Sequence, residues 1–109
     1  MNLTIDITNQ DRVTYVSLVG EVDAFTAPKL KGSLLPETEE EGQTVEVNLQ
    51  DVNYMDSTGL GVFISALKST KEHNSDLRLV QMQERVYRLF KITGLTEIMN
   101  IDNTVRGGM

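Results

Sequence analysis

The sequence predicts a single α/β domain: a mixed sheet of four or five strands flanked by helices, in the order β-β-α-β-α-β-α. Three observations carry this. Leu3, Ile5 and Ile7 alternate with polar residues, as do Val45, Val47 and Leu49, which is the period-two pattern of a half-buried strand. Leu60, Phe63, Ile64 and Leu67 recur at helical spacing directly after a polar, glycine-bearing turn. The chain has 109 residues, enough for one modest core and no second domain.

The first strand, Leu3 to Thr8, has one wet face. Asn9-Gln10-Asp11 reads as a turn, and so short a link to a second strand, Val13 to Val19, predicts an antiparallel hairpin. The second strand has apolar or aromatic side chains on both faces (Val13, Tyr15 and Val19; Val16 and Leu18) and should be the better buried. Gly20-Glu21-Val22-Asp23 leaves the sheet. Thr26 suits the N-cap of a helix with Pro28 in its first turn, where a missing N–H costs little. Ala27, Leu30 and Leu34 share a face of that helix, and Pro36 should stop or kink it near Leu35. The acidic run Glu37, Glu39, Glu40 and Glu41 reads as a solvated helix end or loop, closed by Gly42.

A third strand from about Thr44 to Leu49 is reached through a helix, so it should lie parallel to the second, with a right-handed crossover. Next come the Asp56-Ser57 turn, where either side chain could cap the following helix, and that helix itself, to about His73. Leu77, Leu79, Val80 and Met82 form a fourth strand. Val86, Leu89 and Phe90 mark a third helix from near Glu84, with Lys91 in its last turn and Gly94 just past its end. Leu95, Ile98, Met99 and Ile101 are apolar enough for a short helix with a final edge strand, without separating the two. The domain is expected to occupy residues 1–102, and 103–109 to form a flexible tail.

Composition narrows the function. Sixteen acidic against ten basic side chains give a formal net charge of −6, which argues against nucleic acid and is compatible with a basic partner. The absence of cysteine rules out disulfides and thiolate metal sites. No apolar run approaches the roughly 18 residues of a membrane span. The N-terminal stretch lacks the basic region of a signal peptide, so a cytoplasmic location is expected, with no membrane partner.

Catalytic readings fail on spacing. Ser57 has only His73 to serve as its base, and His73 lies about four turns along the same helix, more than ~20 Å away at ~1.5 Å per residue. No Gly-x-Ser-x-Gly elbow is present. Gly59-Leu60-Gly61 is neither a dinucleotide fingerprint nor a phosphate loop, so no nucleotide or other cofactor is expected. Metal binding would need Asp23, Asp51 and Asp56 to converge, and the spacing does not demand it. A phospho-accepting receiver domain would put Asp56 near the right place. It also needs an acidic pair after the first strand and a lysine on the last, whereas Asp11 stands in a turn and Lys91 on a helix.

What remains is a hydroxyl on display. Ser57 stands at a helix start, at the positive end of the helix dipole, bordered by Gly59 and Gly61, which keep the first turn thin for an approaching surface. The run Tyr54-Met55-Asp56-Ser57-Thr58-Gly59-Leu60-Gly61-Val62 resembles the phosphorylation motif of the STAS family, the anti-sigma factor antagonists of bacterial partner-switching systems. Gly20-Glu21-Val22-Asp23 and Arg88-Leu89-Phe90-Lys91-Ile92-Thr93-Gly94-Leu95 agree with it, in the family's order. The resemblance covers nearly all the chain and leans to the anti-sigma-B type.

That resemblance implies a non-enzyme. Its expected partners are an anti-sigma factor that is itself a serine kinase and a metal-dependent serine phosphatase, which keep ATP and metal to themselves. It implies Ser57 as the phosphorylated residue, with Thr58 the nearest rival, and a partner-binding surface of Asp23, Asp56, Ser57, Thr58, Gly59 and Gly61. Asp23 serves equally well as a turn residue that helps to cap the first helix. The unphosphorylated form would bind the kinase and release a sigma factor. An alternative within the same family is a ligand-sensing or scaffold module in a larger complex.

Overall fold

The computed structural model describes residues 2–102, so the expected tail at 103–109 lies outside the described residues. Strands β1 (Leu3–Gln10) and β2 (Val13–Val22) pair antiparallel, with Ile5 opposite Leu18. Only Asp11 and Arg12 join them, and Asp11 is left-handed at φ 56°. The turn is tighter than Asn9-Gln10-Asp11 because Asn9 and Gln10 still pair with Thr14 and Val13. Helix α1 (Ala27–Leu34) has Pro28 in its first turn and gives way to a 3-10 turn, Leu35–Thr38, that contains Pro36. There follow β3 (Thr44–Met55), α2 (Ser57–His73), β4 (Asp76–Val80), α3 (Glu84–Ile92) and β5 (Asn100–Ile101). The stretch from Leu95 holds both of its expected elements, a 3-10 turn over Leu95–Glu97 and then β5. Gly94, at φ 80°, is the left-handed residue after α3.

The sheet order is β1-β2-β3-β4-β5, and every neighbouring pair after the first is parallel. Strand β3 does not stop at Leu49. It runs to Met55 because its second half stays paired with β2 through two register shifts, between Ser17 and Val19 and between Gly20 and Glu21. Strand β4 is shorter than its apolar run: Gln81 turns left-handed at φ 62°, and Met82 is buried beyond the strand.

Alternation decides where the core lies. Val16 and Leu18, Val45, Val47 and Leu49, and Leu77 and Leu79 are buried together. Strand β2 is better buried than β1, as expected, but through one face: Tyr15 and Val19, on its other face, are 39% and 50% exposed. The helices cover the buried face. On α2, Leu60, Val62, Phe63 and Ala66 are buried, whereas Ile64 lies off the packed stripe at 39% exposure. Phe63 meets Phe90 of α3 edge-on, ring centroids 6.0 Å apart, which joins the two helices above the sheet.

Candidate functional site: the start of helix α2

Because β2 and β3 run parallel, their C-terminal ends emerge side by side, with Val22 paired to Met55. Asp56 follows in extended conformation and ends the strand. Its N–H donates to the Val22 carbonyl at 3.2 Å, its Oδ1 accepts the Gly59 N–H at 3.0 Å, and its carbonyl accepts the Leu60 N–H at 2.9 Å. The cap of α2 is therefore Asp56 and not Ser57, whose hydroxyl is left free for other work. Ser57 and Thr58 are exposed in the first turn of a 17-residue helix.

The two glycines of the motif differ. Gly59 is buried, and a Cβ there would stand 2.5 Å from the Val22 carbonyl oxygen. The surface that comes close to it is the chain's own β2. A Cβ at Gly61 would meet nothing within 4 Å, so the close approach that Gly61 permits is not used within the fold.

Asp23 is 5% exposed and committed to its own turn. Its Oδ1 accepts the N–H groups of Phe25 at 2.9 Å and Thr26 at 3.0 Å. Thr26 occupies the cap position of α1 without capping it through its side chain: the hydroxyl accepts from the Asp23 N–H at 2.9 Å and donates to the Glu21 carbonyl at 2.8 Å. Asp23 instead fixes the turn that leads into α1, because its carboxylate accepts the N–H groups of Phe25 and Thr26 just before the helix. Replacing Asp23 by Ala is therefore expected to lower stability by about 1–2 kcal/mol, the cost of leaving these N–H groups without an acceptor, and replacing it by Asn to change little, since Asn keeps the acceptor. Urea unfolding of the two variants checks this; equal losses would mean that the charge, not the acceptor, matters.

Residues that the motif does not reveal complete the surroundings. A groove of about 500 Å³ lies beside the cap, lined by Glu21, Asp23, Phe25, Tyr54, Asp56 and Arg85 among others. Phe25 is 81% exposed and Tyr54 45%. Arg85, near the start of α3, reaches the Asn53 carbonyl at 3.5 Å. A second groove, of about 320 Å³, lies between α1 and α2 and is lined by Ala27, Lys31, Thr58 and Gly61 among others. Asp56 faces the first groove and Thr58 the second, so Ser57 stands in the chain between them. Phe25 could have been noticed as an aromatic residue in a linker, outside any period; Arg85 carries no comparable signal. His73 lies at the far end of α2, its Nδ1 2.7 Å from the Ser69 carbonyl oxygen. Among the described residues, no three acidic, histidine or cysteine side chains are grouped to hold a metal ion, and no helix is long and apolar enough to cross a membrane.

This fold is that of a known family. The family model described as STAS domain matches residues 4–108, and the chain belongs to that family. Among its full-length relatives, the anti-sigma-B factor antagonist of Listeria monocytogenes is 44% identical over 110 residues, covering 100% of this chain and 96% of that protein. The anti-sigma-B factor antagonist of Bacillus subtilis is 40% identical over 109 residues, covering 100% and 99%. The fold also matches the structure of the Bacillus cell fate determinant SpoIIAA in its phosphorylated form, with TM-score 0.71, 16% identity, and coverage of 93% of each chain. The family read from the Asp56-to-Gly61 run is borne out.

Proposed function

We propose that this chain is an anti-anti-sigma factor whose binding is switched by phosphate on Ser57. Unphosphorylated, it binds an anti-sigma factor that is also a serine kinase, and so frees a sigma factor of the sigma-B type. Phosphorylated, it lets go, and a metal-dependent phosphatase resets it. The observation that carries this is the setting of Ser57: an exposed hydroxyl at the start of α2, not spent on capping, whose chain neighbours Asp56 and Thr58 each line a groove. A kinase needs an acceptor that is accessible and rigidly held, and Asp56 holds this turn without using the serine. Relatives named anti-sigma-B factor antagonists support the partner class. On this reading the chain is a cytoplasmic substrate and ligand and not an enzyme. Asp56, Ser57, Thr58 and Gly61 belong to the surface offered to the partner, while Asp23 and Gly59 shape it from beneath.

The test is the purified chain with the Bacillus subtilis anti-sigma-B factor and ATP, the products mapped by tandem mass spectrometry. One phosphate on Ser57 is expected. Ser57→Ala should stay unmodified and remain bound in the presence of ATP, and Thr58→Ala should still accept phosphate. Phosphate on Thr58, or no complex at all, overturns the reading.

A further inference from the structure

We propose that Phe25 is the anchor by which this chain grips its anti-sigma factor, its ring entering an apolar pocket on that partner that is rimmed by basic side chains. The inference rests on the proposed function and adds the residue that makes the contact and the chemistry it meets.

Single exposed apolar side chains are ordinary on protein surfaces. Phe25 is set apart by how it is held. At 81% exposure it has almost no packing of its own, yet its backbone is fixed. The buried Asp23 carboxylate takes its N–H and that of Thr26, and the Thr26 hydroxyl ties the same turn to the Glu21 carbonyl. An aromatic ring presented from a turn ordered in advance loses little entropy on binding, which is the condition for a strong anchor. Tyr54, 45% exposed, lines the same groove, so the patch holds two aromatic residues.

Charge states what surrounds the receiving pocket. The groove beside Phe25 is lined by Glu21, Asp23 and Asp56 against the one cation Arg85, in a chain of net charge −6. A surface that closes over it must bring positive charge, or it would desolvate carboxylates without compensation. Phe25 also shares this groove with Asp56, the residue before Ser57, so a partner gripping the ring has the acceptor serine at its edge.

The experiment uses the full chain and the Bacillus subtilis anti-sigma-B factor. Phe25→Ala is expected to weaken binding about thirtyfold, the loss typical of an aromatic anchor. In the kinase reaction it should raise KM with kcat unchanged, because docking is lost and the acceptor is untouched. Phe25→Tyr should restore most of the affinity. Ile92→Ala removes an apolar side chain that is 74% exposed outside the groove and should change nothing. Thermal melts of all three variants should match the parent. Equal affinity for Phe25→Ala and parent overturns this inference and leaves the proposed function standing. No binding by the parent overturns both. A parent dimer that Phe25→Ala converts to monomer in sedimentation shows a second copy to be the occupant and overturns the proposal.

Discussion

Stoichiometric phosphate on Ser57 is expected to weaken the complex with the anti-sigma factor by about two orders of magnitude, the ~3 kcal/mol that an unpaired charge in an interface costs. The domain itself should hardly register the change. A phosphate adds about −1.5 to −2 charges at neutral pH, but it does so at the start of a long helix, where the dipole and the first-turn N–H groups favour an anion. No buried side chain has to move, because the serine is exposed and takes no part in the Asp56 cap. The repulsion therefore falls on the partner. The new dianion adjoins Asp56, whose groove Glu21 and Asp23 also line, and the basic side chains of a partner that complements the unmodified surface are already matched to those carboxylates, which leaves no further cation for the phosphate. Calorimetric titration before and after modification, with thermal melts of both forms, measures the two effects separately. Unchanged affinity, or a melting midpoint that falls by 10 °C or more, on the order of 2 kcal/mol, would put the switch in the fold and not in the interface.

Gly59→Ala should be the most damaging small substitution in the motif, costing about 2–3 kcal/mol, while Gly61→Ala should be neutral or stabilising by up to ~1 kcal/mol. Both positions are helical, so backbone propensity favours alanine at each. Space decides the difference. At position 59 the new methyl would press on the Val22 carbonyl oxygen at 2.5 Å and its Cγ1 at 2.6 Å. That carbonyl is held by the Asp56 N–H, so it cannot retreat without loosening the start of α2. At position 61 the methyl enters open space. Urea unfolding of the two variants gives the comparison. Equal stability would mean that the α2–β2 contact is looser than its distances imply. Gly61→Ala should then reveal itself in binding, since it places a methyl in the groove beside Thr58.

Much of this was legible in the chain. The alternation of Leu3, Ile5 and Ile7 and of Val45, Val47 and Leu49 reads directly because one face of the sheet is packed and the other is not. The run from Asp56 to Gly61 marked the candidate site because a cap, an exposed hydroxyl and a thin turn each demand particular residues. The extent of β3 was not visible: Asn53 and Tyr54 carry no strand alternation, and it is pairing across a bulged register that extends them. The roles within the motif were only partly visible. Glycine announces a close approach without saying to what, and only the fold shows Val22 over Gly59 and nothing over Gly61. Phe25 and Arg85 come to the site from separate elements, and no local pattern in the sequence joins them to Ser57.

The contact between Val22 and the start of α2 also makes the proposed acceptor, Ser57, part of a conformational epitope. Residues 56–59 take their shape from a strand more than thirty positions earlier, through the Asp56–Val22 hydrogen bond and the buried Gly59. A nascent or unfolded chain carries the same Asp-Ser-Thr-Gly letters but neither the turn nor the grooves beside it. A kinase that recognises the surface, and not the letters, would modify only molecules in which β2 and β3 have already paired, and the phosphorylated pool would then report on folded protein alone.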